Sequence, residues 1–436
     1  MMKPYKLLFT SLITVLLPFT VSAQEISLSN PDAEYANRSC VLKQYIEHKT
    51  ALPADCRCGN NRANTGGLNV CQRPTEVARN MGINIAEGPS FANYYNSELT
   101  GGFIDYDRNE LIASVQWDAG AESKGLVVAY NLSDWSRRFI SGDAEDEYGH
   151  RVIAKGPRFF ELKDIQPGID GFWYGFGYEQ GKSGGGARIF RVDPETGDRS
   201  VVWQGRTAEY GQCPSGRKNI RRESQKYVQY TQQAFAIDQA DGSFLLSFSN
   251  NKMGGTGIAR ISPDGSKCDF VTLSGRRDDG LEVGRGFDMR GPMLGLYLHN
   301  GKIYTHSSGE KTFFEIDPAT GNRKALTRKA PKPPAWRRVV WDDKREVFWV
   351  SGKMNSVTVT AYDPTLNKYL LAHKSCGKRS DWEWFPLCMG GPLKINSLNY
   401  GPMWLNKNTG NLIFGQDLIG IVEFEPETGN SINRSF

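Results

Sequence analysis

Six side chains form the sequence's best set for moving a proton and holding an anion: Tyr148, His150, Arg151, Arg285, Arg290 and Tyr400. A phenol or imidazole can take the proton α to a uronate carboxylate, and a guanidinium can neutralise the charge that develops, which is what a polysaccharide lyase needs. Histidine is scarce, with His48, His150, His299, His306 and His373 the whole supply, and a lone strand histidine is usually packed or solvated. Gly-Pro recurs in Glu87-Gly-Pro89, Lys155-Gly-Pro157, Arg290-Gly-Pro292 and Tyr400-Gly-Pro402, where the preceding side chain changes from acid to base to phenol. Variation of that kind at a fixed backbone position suits a ligand site, with Lys155 and Arg285 as anion contacts. Trp382-Glu-Trp384-Phe385 offers rings that can stack on a sugar or cover the core. Gly181-Lys-Ser-Gly-Gly185 satisfies Gly-x-Ser-x-Gly, but a Gly-rich hairpin tip is no strand-to-helix elbow, and the phosphate-loop spacing fails too.

A recurring unit must position these residues. Its clearest copy is Ile189-Phe-Arg-Val-Asp-Pro-Glu-Thr-Gly197-Asp-Arg-Ser-Val-Val-Trp203, and it returns at Phe313–Leu326 and Ile421–Ile432, with looser copies at Ala259–Gly265, Thr360–Thr365 and Val128–Ser133. The motif reads as a β-hairpin: Asp caps the turn, Pro presets φ, and Gly takes the left-handed position. Upstream of each lies a second strand pair, as in Leu296-Tyr-Leu-His-Asn-Gly301-Lys-Ile-Tyr-Thr305. Four strands per unit in six units predict an all-β fold, a six-bladed β-propeller over residues 91–436. A seventh, degenerate blade could sit in residues 72–100 or in the insertions Arg206–Thr231, Arg276–Gly291 and Cys376–Tyr400. No long segment has helical apolar periodicity, which excludes α/β folds.

The hairpin, preceded by a strand ending at Asp-Gly or Asn-Gly, resembles the blades of NHL, YVTN and gluconolactonase-like (SMP-30-type) propellers. That resemblance implies the fold across residues 100–436 and leaves function open, because such blades serve enzymes, binders and scaffolds alike. In the gluconolactonase-like group a Glu-Gly-Pro supplies a metal-binding carboxylate. Glu87 matches that tripeptide and would hold a divalent ion such as calcium in a lactonase.

Export is expected from the N-terminus: a basic head with Lys3 and Lys6, an apolar run Leu7–Val21, then Val21-Ser-Ala23, which reads as a signal peptide over residues 1–23. No later segment is apolar enough to span a bilayer. Cleavage removes two lysines from a chain of formal charge +5, leaving near balance, so bulk-charge binding of nucleic acid is not expected. Eight cysteines in an exported chain predict disulfides among Cys40, Cys56, Cys58, Cys71, Cys213, Cys268, Cys376 and Cys388. The first four make residues 24–90 a stapled extension that covers one face or closes the ring. The expected partner is a small-molecule or glycan ligand at the central funnel, with lyase or metal-dependent lactonase chemistry as the enzymatic alternatives.

Overall fold

The computed structural model describes residues 80–83, 98–205, 234–326, 335–374 and 402–435, each of the longer spans with short stretches left out. Within them the chain forms six sheets, each built on a consecutive antiparallel run of strands from the centre outward, with one parallel strand from the N-terminal side added to the last. The innermost strands are Glu98–Asp105, Phe160–Pro167, Phe235–Ile237, Met293–His299, Ala335–Asp342 and Met403–Leu405, one for each of blades 1 to 6. All six hairpin repeats form the outer half of a blade, and the upstream strand pairs form the inner half. The fold is a six-bladed β-propeller.

The chain's two ends meet in blade 6. Asn80–Ile83 pairs in parallel with the last strand, Ser431–Ser435, placing Asn80 opposite Ser431 and Ile83 opposite Asn433. A segment that precedes blade 1 therefore completes blade 6, which ties the ring shut. Blade 1 also gains a fifth strand, Gly149–Ile153, along the outer edge of Arg137–Asp146.

Packing follows the period-two pattern of strands buried on both faces. Each of six hydrophobic clusters occupies one seam between neighbouring blades. In the second strand of blade 1, Leu111, Ala113 and Val115 face Trp404, Ile413 and Ile421 of blade 6, while Ile112 between them faces Phe159, Leu162 and Phe190 of blade 2. A blade is thus wedged by side chains of alternating residues, each large apolar one contributing about 1.5–3 kcal/mol.

The hairpin repeat has a second task at these seams. Asp193 accepts the amide hydrogens of Glu195 and Thr196 on Oδ1, and Asp317 does the same for Ala319 and Thr320. Gly197 (φ 74°) and Gly321 (φ 71°) then bring the turn against the preceding blade, where an added Cβ would stand 2.1 Å from the Ile140 carbonyl oxygen and 2.4 Å from that of Val271. The arginine two positions on is driven inward. Arg199 donates to Ser141 Oγ, Ile153 O and Pro157 O, and Arg323 donates to Thr272 Oγ1, Val283 O and Phe287 O. These are equivalent contacts in two seams, blade 1 to 2 and blade 3 to 4, and both arginines are almost wholly buried.

Cys268 opens the outer strand of blade 3, is buried and is disulfide-bonded. The other cysteines, with the signal segment and the remainder of the extension apart from Asn80–Ile83, lie outside the described residues. Among the described residues no helix is long and apolar enough to cross a membrane.

His306, in the second strand of blade 4, has no exposed surface, and burial pushes its pKa from 6.5 down to about 3. Between those values the unfolded chain binds a proton that the folded chain does not. Stability is therefore complete above pH 6.5 and declines as pH falls below it, by at most about 1.4 kcal/mol per pH unit from this group. Urea titrations at pH 7 and pH 5 should show wild type losing about 2 kcal/mol more than His306→Asn over that interval. Equal losses would refute the assignment.

Candidate functional site

The six inner strands enclose a central cavity of about 280 Å³. Blades 3 to 6 line it with apolar and aromatic residues, chiefly Phe235, Leu296, Val339, Trp341, Met403 and Leu405. Blade 1 contributes Gly101, Gly102 and Ile104. Blade 2 differs. Asp164 and Gln166 line the cavity, while Ile165 between them turns into the seam with blade 1. One wall of the channel is therefore polar, and Tyr106, Tyr297 and Lys407 add polar groups elsewhere in its lining.

Asp164 is only 6% exposed. Its Oδ1 accepts the Gly102 amide hydrogen at 2.9 Å, its neighbour Ile165's at 2.8 Å and Gln166 Nε2 at 3.1 Å. Gln166 Nε2 also reaches Gly102 O at 3.4 Å. Gly101 permits this approach, because a Cβ there would lie 2.1 Å from Asp164 Oδ1. The glycine pair in blade 1 and the acid in blade 2 form one device that seats a carboxyl group in the channel wall.

The turns that follow the inner strands build the mouth. Tyr106 donates its hydroxyl to Leu405 O at 3.0 Å and accepts the Lys407 amide hydrogen at 3.0 Å, linking blades 1 and 6. Lys407 Nζ lies 2.9 Å from Asp343 Oδ2, linking blades 6 and 5. Burial, with Asp343 adding, pushes the Tyr297 phenol up to about 12. Burial also raises Tyr106, against the opposing pull of Lys407. Both phenols are neutral hydrogen-bond groups at neutral pH. The His299 ring stacks on Trp341 with centroids 4.1 Å apart. Burial lowers the His299 pKa, with Asp343 working the other way, so the ring is neutral there at pH 7.

The residues singled out from sequence lie elsewhere. His150 and Arg151, expected in the loop entering blade 2, are on the outermost strand of blade 1, both exposed, and His150 Nε2 is 3.3 Å from Asp143 Oδ1. Lys155 and Arg285, expected at the funnel, run beside the outer hairpin of the next blade. The Lys155 amide donates to Asp198 and its carbonyl accepts from the Arg199 amide; Arg285 does the same with Asn322 and Arg323. The buried arginines draw these connectors to the rim. Arg290 is exposed, its guanidinium 3.9 Å from Asp288, and its carbonyl accepts the Ser307 hydroxyl. None of these five lines the channel. Glu87, Tyr148, Trp382, Trp384 and Tyr400 lie outside the described residues.

Sequence reasoning missed Asp164 and Gln166. The signal was available: aligned on their turns, the other inner strands carry apolar residues or glycine where Phe160-Glu-Leu-Lys-Asp-Ile-Gln-Pro167 carries Asp and Gln. Among the described residues no group of three His, Cys, Asp or Glu side chains could hold a metal ion.

No protein-family model matches the chain, and no curated protein matches it. Solved structures do. The chain is similar to a chain of a nidogen/laminin complex, at 13% identity over 63% of this chain and 79% of that one, with a TM-score of 0.39. It is similar to a protein of unknown function from Bacteroides thetaiotaomicron, at 11% identity over 79% and 74%, TM-score 0.45. A third is a protein from Bacteroides uniformis described as a candidate 6-phosphogluconolactonase, at 12% identity over 78% and 81%, TM-score 0.40. The chain resembles these proteins at the level of fold alone.

Proposed function

We propose that the protein is exported and binds a small molecule, of the size of one or two sugar rings, in its central channel. The observation that carries this reading is the composition of the channel wall: aromatic and aliphatic residues from four blades line it together with Asp164 and Gln166 of blade 2. Binding sites for small molecules are typically apolar with a few placed polar groups, and they favour the mouths and centres of closed β-architectures. Ring compounds with hydroxyl groups match that pairing, the ring meeting the apolar lining and the hydroxyls meeting blade 2.

The test is occupancy of the channel. A panel of monosaccharides, aryl glycosides and hydroxylated ring compounds is screened by thermal shift, and hits are measured by calorimetry. Leu296→Trp fills the channel with an indole and should weaken any true ligand by roughly tenfold or more. A hit that binds Leu296→Trp as tightly as wild type would sink the reading.

A further inference from the structure

The innermost strand of a blade is paired on one side only, so one edge of its main chain faces the channel. Which peptide groups lie on that edge follows from the alternation of an antiparallel pair, in which every second residue turns its N–H and C=O away from the partner strand. In blade 3 the ladder is fixed at both ends: the Ser247 amide donates to Ala234 O at 3.0 Å, and the Asp238 amide donates to Ser243 O at 2.8 Å. Between them the register runs unbroken, with Phe235 opposite Leu246, Ala236 opposite Leu245 and Ile237 opposite Phe244. Ala234, Ala236 and Asp238 therefore bond to the second strand. Phe235, which lines the cavity, turns its N–H and C=O to the channel side.

Two other blades bear out the rule. In blade 6 the Asn406 amide donates to Asn411 O and the Gly415 amide to Pro402 O, which puts Met403 and Leu405 on the channel edge. Leu405 O is met there from outside the blade, by the Tyr106 hydroxyl. In blade 1 the Gly102 amide and carbonyl are met by Asp164 and Gln166. A main-chain polar group enclosed by apolar walls needs a partner, and at these two places a side chain of a neighbouring blade supplies it. At Phe235 no side chain among the described residues does so, and its neighbours in the wall, Ala234 and Ala236, are small.

We propose that the channel takes an extended peptide unit, one residue of which pairs its C=O and N–H with the N–H and C=O of Phe235. The proposal rests on the channel-binding reading above and adds the chemical class of the ligand. A residue of an extended peptide carries both groups on one side, at the spacing of the strand edge itself, so the two bonds form together. A hydroxyl can meet either group but has no fixed spacing to both. One or two residues match the cavity of about 280 Å³, and Leu296, Val339 and Met403 in the lining favour an aliphatic side chain on the paired residue.

Two probes of nearly one shape separate the outcomes: N-acetyl-leucine methylamide and its analogue methylated on the leucine nitrogen, each titrated into the full chain and followed by calorimetry. The first should bind at least about tenfold more tightly, because the added methyl removes the N–H that meets Phe235 O and leaves that oxygen unpaired. On the protein side, Phe235→Pro removes the channel-edge N–H and spares the ladder bonds of Ala234 and Ala236, as proline does on the free edge of a strand. Phe235→Ala takes away the same ring and keeps the N–H. The proline variant should bind the first probe roughly tenfold or more weakly than the alanine variant, with melting curves showing that both fold. Equal binding of the two probes by wild type, or equal binding of the first probe by the two folded variants, overturns the proposal while leaving channel binding intact. If Phe235→Pro does not fold, the wild-type comparison decides. Binding of neither probe also overturns it, and the Leu296→Trp comparison on a panel hit then decides the channel reading separately.

Discussion

Arg323→Ala is expected to cost about 3–5 kcal/mol of folding stability, the range for stripping a fully buried charged group from its hydrogen-bond network. The Arg323 side chain has no exposed surface in the structure. Its Nε donates to Phe287 O, its NH1 to Thr272 Oγ1 and Val283 O, and its NH2 to Glu282. Those acceptors belong to blade 3's outer strand and to the connector leading into blade 4, so one side chain ties several parts of the seam together. Alanine leaves the acceptors buried and opens a void. Lysine should not restore the loss, since an ammonium cannot reproduce a planar fork of donors aimed at several oxygens. Urea denaturation followed by circular dichroism measures the effect, and a loss under about 1 kcal/mol would show that the seam does not depend on the arginine. Arg199→Ala should act similarly at the seam of blades 1 and 2, where the guanidinium also lies 5.0 Å from the Phe159 ring. The two losses should add, because the sites share no partner.

That repeated arginine shows where reading a sequence stops. The Asp, Thr and Gly of the hairpin announce their roles, because each acts within a few residues: Asp317 caps the amides of Ala319 and Thr320, and Thr320 Oγ1 accepts the Asn322 amide. The arginine is equally visible as a repeated letter, yet its partners are a hydroxyl 51 residues away and carbonyls of a connector. Blade 6 carries Ser431 in that place, and there the N-terminal strand pairs alongside instead. The number of blades was legible for the same reason as the turn, since each blade is a local unit that repeats.

The channel was not legible in this way. Its wall draws one short stretch from every blade, from Gly101 to Lys407, so no window of sequence contains it. Selecting by residue type favoured Lys155 and Arg285, basic residues in connectors, whereas the channel offers one acid, one amide, the lysine Lys407 and a set of aromatic and aliphatic residues. The connectors run to the rim because Arg199 and Arg323 hold their backbone carbonyls there.

The close fit of blades 1 and 2 yields the second large effect, one that joins the fold to the site. Gly101→Ala places a Cβ 2.1 Å from Asp164 Oδ1 and 2.8 Å from Asp164 Cα. A backbone atom of a neighbouring blade cannot swing aside as a side-chain tip can, so the blades must part or Asp164 must leave its amide partners. Overpacking and the lost hydrogen bonds together should cost about 2–5 kcal/mol. Because Asp164 lines the channel, binding of any channel ligand should fall with it. Gly171→Ala supplies the control: Gly171 has φ 83° and no atom within 4 Å of an added Cβ, so it reports backbone strain without crowding. That strain alone is worth about 1–2 kcal/mol. Gly101 needs no left-handed backbone, so its loss should come from the collision alone. If Gly101→Ala melts no earlier than Gly171→Ala and binds ligand as wild type does, then Asp164 does not stand against blade 1 and the polar wall of the channel is not built as described.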